Sequence, residues 1–311
     1  MELSLQLPRV LVIVGPTASG KTALALDVAR RFPSEILSAD SRQVYKLLNI
    51  GTAKPSVEDR KIVTHHFVDE LLPDQHFSAG EFGVQGRKIV EEIIKRRSLP
   101  IIVGGTGLYI RSLVDGLFSG PGREEELRKE LEARLESEGA EALLDELRKV
   151  DPKAASKMLP SNQRRIVRAL EVYYATGKPI SQHHGEHAPR SPFDPLFIGL
   201  QWDRKILYER INGRVEKMLA AGFLDEVKEL IGKGYDDRFK SLQTVGYKEA
   251  FAFFRKEISY DRMVELMKQN TRRFAKRQLT WFRRDERIRW FEVHDEAEIP
   301  RIAEEVLILL K

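Results

Sequence analysis

The stretch RVLVIVGPTASGKTALALDVARRF, Arg9 to Phe32, decides the fold. Gly15 to Thr22 reads G-x-x-x-x-G-K-T. It follows the apolar run Val10 to Val14 and opens a helical pattern at Lys21, so strand, glycine loop and helix occur in order. The backbone N–H groups of such a loop, here Gly15, Thr17, Ala18, Ser19 and Gly20, join the positive end of the following helix to surround an anionic diphosphate. Lys21 adds a point charge, and the Thr22 hydroxyl is suited to Mg2+. The motif names a diphosphate but not the molecule that carries it.

The chain has 311 residues, 42% hydrophobic and 32% charged, which suits a globular protein with one large domain and a smaller one and excludes a disordered chain. Without cysteine there is no disulfide, thiolate zinc site or cysteine nucleophile, so a cytoplasmic location is expected. The first residues, MELSLQLPRVLVIVGP, place an acid before a short apolar run that passes directly into the glycine loop, which argues against a signal peptide or membrane span. The net charge of +5 is unevenly spread. Residues 123–150 are acid-rich, whereas Lys268 to Arg289 is dense in lysine and arginine and offers a polyanion a landing surface.

Strand–helix alternation runs through the first third. Glu35 to Asp40 is a short strand ending on a carboxylate, His65 to Leu71 is a strand candidate, and Ser78 to Glu81 forms a capping box before a helix ending near Arg97. Leu99 to Val103 is a strand that enters the small-residue turn Gly104 to Tyr109. The pattern predicts an α/β fold: a P-loop NTPase-like parallel sheet core flanked by helices, made of residues 1–119 and 192–311. Residues 120–191 read as an all-helical insertion domain, with helical spacing from Glu124 to Val150 and from Asn162 to Thr176. Leu196 to Leu200 restores strand character, and the last third reads as helices over Arg204 to Ile231, Tyr260 to Phe282 and Ile299 onward.

Asp40, at a strand end, either assists Mg2+ in an ATPase or kinase or takes a proton from an attacking group in a transferase. Gly104 to Tyr109 lets a substrate approach the backbone closely, with Thr106 facing the phosphates. Arg164 and Arg168 lie one helical turn apart, and Arg210 and Arg214 repeat the spacing as a lid over the diphosphate. In RRFAKRQLTWFR, Arg272 to Arg283, we read Phe274, Gln278 and Trp281 as an inward stripe and the cations as a nucleic-acid face. His183, His184 and His187 are not expected to hold zinc, since no cysteine and little acidic company surround them.

Together, GPTASGKT at Gly15 to Thr22, ADSRQVYK at Ala39 to Lys46, GGTGLY at Gly104 to Tyr109, RRIVRALEVY at Arg164 to Tyr173, VGYKE at Val245 to Glu249 and RRFAKRQLTWFR resemble one family. That family is the tRNA dimethylallyltransferases, also called tRNA isopentenyltransferases. The resemblance implies that the loop holds dimethylallyl diphosphate, with Arg214 also on the diphosphate. It further implies that the prenyl group passes to the exocyclic amine of the adenosine beside the anticodon, with release of pyrophosphate. It makes Asp40 the base and places Thr106 near the bridging oxygen of the leaving group. Asp40, Ser41, Arg42 and Gln43, together with Arg164, Arg165, Ile166, Val167 and Arg168, then meet the tRNA, and Arg272, Lys276, Arg277 and Arg283 are added from the basic helix. Mg2+ is the expected cofactor. Longer relatives carry a carboxyl-terminal zinc finger that is absent here, so the compact bacterial type is implied, with no zinc. A monomer without a protein partner is expected. The competing reading is a P-loop small-molecule or nucleoside kinase, which explains Gly15 to Thr22 but not the basic helix or the Gly104 turn.

Overall fold

The fully buried run Val10 to Val14 needs cover on both faces, which a central strand of a parallel sheet provides. In the computed structural model, which describes residues 7–117, 124–183 and 191–310, that run is β1 (Arg9–Val14). The other strands are β2 (Ser34–Ser38), β3 (His65–His66), β4 (Leu99–Gly104), β5 (Asp194–Trp202) and β6 (Arg289–Val293). All pair in parallel, in the order β3-β2-β4-β1-β5-β6.

Register positions the site. Val14 lies beside Gly104, and Val103 beside Ser38, so β1, β4 and β2 run out almost level. Gly15, Gly105 and Ala39 therefore leave the sheet side by side, the usual place for a ligand in an open parallel sheet. One face is packed by Leu24, Ala25 and Val28 of the helix Lys21–Arg31 and by Ile302 and Val306 of the helix Ile299–Leu309. The other is packed by aromatic residues, with Phe82 stacked on Tyr109 at a centroid distance of 4.6 Å.

The chain divides into two compact units, Met1–Val114 with Ser191–Lys311, and Asp115–Arg190. The second unit holds helices and no strand among the described residues. Its helices Glu125–Val150, interrupted at Gly139, and Gln163–Thr176 pack around Leu131, Leu143, Leu147, Ile166 and Leu170.

The capping box is present: Ser78 accepts the Glu81 amide and Glu81 accepts the Ser78 amide, opening the helix Ala79–Lys95. Three expectations need correction. The strand expected over His65 to Leu71 ends at His66, because Phe67 and Asp69 take left-handed φ values of 61°. The helical stretch expected from Arg204 to Ile231 is divided into two helices, Arg204–Ala220 and Phe223–Gly232, parted at Gly222. The last third, expected to be largely helical, also contains a strand that was not identified, β6, between the helices ending at Phe282 and beginning at Ile299. His184 and His187 lie outside the described residues, and the His183 ring approaches the Thr176 hydroxyl at 3.3 Å.

Candidate diphosphate site

The loop Gly15 to Thr22 is held from behind by residues far away in sequence. Trp202 Nε1, at the end of β5, donates to the Ser19 carbonyl at 2.9 Å, and Arg210 Nε donates to the Ala18 carbonyl at 2.9 Å. Arg210 also pairs with Glu296 and lies 4.0 Å over the Trp202 ring. The Ala18 and Ser19 carbonyls are thus turned back into the protein; of the loop amides, Thr17 donates to Gln278 Oε1 at 2.9 Å and Ser19 to the Pro16 carbonyl at 3.3 Å. The helix Lys21–Arg31 begins with no side-chain cap and no acid in its first turn, leaving its positive end free. Ser19 Oγ is buried without a protein partner.

In front of the loop lies a cavity of about 470 Å³, lined by Thr17 to Ala23, Asp40, Gly105, Arg214, Lys217 and Phe274 among others. Of its cations, Arg210 is paired with Glu296, while Lys21 and Arg214 feel Asp40 without a salt bridge to it. Desolvation brings the Lys21 ammonium down to about 7, repulsion by Arg214 adds to this, and Asp40 offsets part of it. Desolvation likewise lowers the Arg214 guanidinium from its ordinary value, again against the pull of Asp40. Lys21 Nζ meanwhile donates to the Pro16 carbonyl at 2.6 Å.

Asp40 lines this cavity, and Thr106 is tied to the residues on either side of Asp40. Asp40 Oδ1 accepts the Arg42 amide at 2.9 Å, leaving Oδ2 available. Thr106 donates its amide to the Ala39 carbonyl at 3.1 Å, while its Oγ1 accepts the Ser41 amide at 3.1 Å, leaving the hydroxyl proton to give. The approach requires a glycine before it: a Cβ on Gly104 would stand 2.0 Å from the Ala39 carbonyl oxygen. Gln43 is committed to the scaffold, accepting from Ser38 Oγ at 2.8 Å and donating to the Thr52 and Ala53 carbonyls. Arg42 donates to the Lys240 carbonyl at 2.9 Å.

The remaining predicted residues scatter. Arg214 faces the cavity, but Arg210 braces the loop instead of covering it. Arg164 and Arg165 are exposed on the helical unit, and Arg168 pairs with the fully buried Glu171 at 3.1 Å. Ile166 and Val167 have side chains in the core of that unit, so they support the helix and present nothing to a ligand. On the helix Tyr260–Phe282 the expected division is corrected. Phe274 and Trp281 are 38% and 39% exposed, and only Gln278 of that stripe is buried. Arg272 bonds Asn212 at 2.7 Å, and Arg277 lies 5.8 Å from the Phe274 ring centre. Lys276 and Arg283 line a separate cavity of about 530 Å³ with Asp203, Tyr208 and His294. They sit about half a helical turn away from Gln278, since residues two and five positions removed point to the far side.

Sequence reasoning missed Trp202, Arg210 as a brace and Gln278. The signal for Gln278 was a polar residue between two aromatics on one helical stripe. Among the described residues no helix is long and apolar enough to cross a membrane, and no cluster of three or more His, Asp or Glu side chains is placed to hold a metal.

A level set of parallel strand ends carrying a braced G-x-x-x-x-G-K-T loop defines a protein of the P-loop NTPase-like fold. The family model described as IPP transferase matches residues 43–285, and the chain belongs to that family. It is 49% identical over 284 residues to tRNA dimethylallyltransferase 1 of Trichlorobacter lovleyi, covering 91% of this chain and 93% of that relative. Among solved structures it resembles a full-length tRNA isopentenylpyrophosphate transferase from Bacillus halodurans, with 39% identity, coverage of 97% and 96%, and a TM-score of 0.72. A eukaryotic dimethylallyltransferase solved acting on tRNA superposes with a TM-score of 0.83 at 29% identity, covering 97% of this chain and 78% of that one.

Proposed function

We propose that this protein transfers the dimethylallyl group of dimethylallyl diphosphate to the exocyclic N6 amine of the adenosine 3′-adjacent to the anticodon in tRNA, releasing pyrophosphate. The observation that carries the reading is that Asp40 and Thr106 stand together where β2 and β4 end, beside a diphosphate loop at the end of β1. The family and its named relatives support the tRNA prenyl transfer, and no observation favours a kinase.

The chemistry follows from the groups on hand. A new bond joins N6 to the first prenyl carbon as that carbon's bond to the diphosphate oxygen breaks. The free Oδ2 of Asp40 takes the amine proton, so no proton is lost to a remote base. The Thr106 hydroxyl, oriented by the Ser41 amide it accepts, gives its proton toward the bridging oxygen as charge builds there. Loop amides, the free helix end, Lys21 and Arg214 take up the charge on the departing pyrophosphate.

Mg2+ suits this site as a companion of the diphosphate, since the cavity offers the Thr22 hydroxyl and no carboxylate cage. When bound it would supply further charge neutralisation on the leaving group. On the RNA side, exposed Arg164, Arg165 and Arg277 supply phosphate contacts, and exposed Phe274 and Trp281 supply faces for bases. The target adenosine must leave its stack to reach Asp40. This activity places the protein with tRNA in the cytoplasm.

The test is to incubate the protein with Mg2+, radiolabelled dimethylallyl diphosphate and unmodified tRNA without ATP, then digest the RNA. Label on the adenosine beside the anticodon supports the reading. Unlabelled RNA, with ATP-dependent phosphorylation of another acceptor, overturns it.

A further inference from the structure

The loop and the Thr106 turn rise from β1 and β4, whose last ladder pair is Val14 and Gly104. Past that pair the two segments are joined through one side chain from a third element. Gln278, 7% exposed on the helix Tyr260–Phe282, accepts the Thr17 amide on Oε1 at 2.9 Å and donates from Nε2 to the Gly105 carbonyl at 3.0 Å. A Cβ on Gly105 would stand 2.1 Å from Nε2, so the glycine is what lets the carboxamide close against the turn.

We propose that Gln278 is a positioning residue for prenyl transfer: it sets the diphosphate loop and the Thr106 turn at a fixed separation through a hydrogen-bonded chain. The chain runs from Thr17 N–H to Gln278, from Gln278 to the carbonyl of Gly105, along the backbone to Thr106, and from Thr106 Oγ1 to the Ser41 amide beside Asp40. The leaving group is held at one end and the base at the other, so a slack chain lets the prenyl carbon drift from the line between them. Displacement rates are sensitive to such drift. A carboxamide is the group required, because one partner is a donor and the other an acceptor. A carboxylate satisfies Thr17 but sets an oxygen against the Gly105 carbonyl, and a thioether satisfies neither strongly.

This inference rests on the prenyl-transfer reading, and wild-type turnover separates the two: a wild type that prenylates no tRNA sinks the reading itself. With wild type active, Gln278→Met and Gln278→Glu replace the side chain at nearly constant size. Both are expected to lower kcat about ten- to hundredfold, the effect of leaving one buried hydrogen-bonding group unpaired. The KM for tRNA should change little. The Thr17 amide should exchange with solvent faster in Gln278→Met than in wild type. A space-filling role predicts instead that the size-matched variants retain kcat. A folded Gln278→Met variant with kcat within about threefold of wild type overturns the proposal. Should that variant fail to fold, Gln278→Glu is read in its place. Exchange in the wild type also decides: a Thr17 amide no better protected than free loop amides overturns the proposal as well.

Discussion

The Thr106 hydroxyl oxygen accepts the backbone amide of Ser41 at 3.1 Å, fastening the turn after β4 to the turn after β2 that carries Asp40. The bond uses the oxygen and leaves the hydroxyl proton for a ligand. Thr106→Val keeps the shape but removes both functions, and is expected to lower the single-turnover transfer rate about 10²-fold, in the range for one lost donor at a developing oxyanion. Thr106→Ser should stay within about tenfold of wild type. Equal rates for Val and wild type would remove Thr106 from the chemistry.

Lys21 leads to a pH prediction. Burial brings its ammonium down to about 7 in the free protein, and the negative charge of a bound diphosphate restores its proton. Dimethylallyl diphosphate binding at pH 8 should therefore take up as much as about one proton, seen by calorimetry in buffers of different ionisation heat. Affinity should weaken as pH rises above 7, and Lys21→Met should abolish the uptake. The stability sign is opposite. The folded value of about 7 lies below the ordinary 10.5, so burying the ammonium costs most below pH 7, and the ligand-free protein gains stability from this group as pH rises toward 10.5.

Gly104 tests the level ending of the strands. Its absent Cβ would lie 2.0 Å from the Ala39 oxygen and 2.7 Å from the Ala39 Cβ, both on a neighbouring backbone segment that cannot rotate away. Gly104→Ala should lower the melting temperature markedly, by overpacking worth about 1–3 kcal/mol or more. Unchanged melting would show that the β2 and β4 ends part easily.

On the helical unit, Arg164 and Arg165 are exposed, whereas Arg168 is held by buried Glu171. Arg164→Ala and Arg165→Ala should each weaken tRNA binding and reduce the slope of log affinity against log salt by about 0.7–0.9. Arg168→Ala should instead destabilise the unit by leaving Glu171 with fewer partners, which the thermal melt reports. A salt slope unaltered by Arg164→Ala and Arg165→Ala together would take this helix out of the RNA interface.

The parts of the fold written in local pattern were legible. Val10 to Val14, the capping box at Ser78 and Glu81, and the helix Tyr260–Phe282 follow from apolar runs, caps and periodicity. What failed was set by tertiary context. The chain leaves its strand at Phe67 and Asp69 by left-handed turns that no glycine announces. β6, with sequence RWFEV, is an edge strand half open to solvent, so its alternation is weak. At the site, the loop, Asp40 and Thr106 stood out because each ends an apolar run. Trp202, Arg210 and Gln278 did not, because they act on backbone carbonyls and amides roughly 170 to 260 positions away, and such contacts leave no local spacing. The aromatics Phe274 and Trp281 were misassigned inward because a helical stripe cannot tell a buried core from a partly exposed face, and Phe274 lines the cavity.

The most direct measurement is the single-turnover transfer of radiolabel from dimethylallyl diphosphate to tRNA by the Asp40→Asn variant, with tRNA affinity determined in parallel. The asparagine preserves shape and the oxygen that accepts the Arg42 amide but cannot take the amine proton. We predict a rate about 10²–10⁴-fold below wild type with tRNA affinity within about threefold. A rate equal to that of wild type would contradict the assignment of Asp40 as the base.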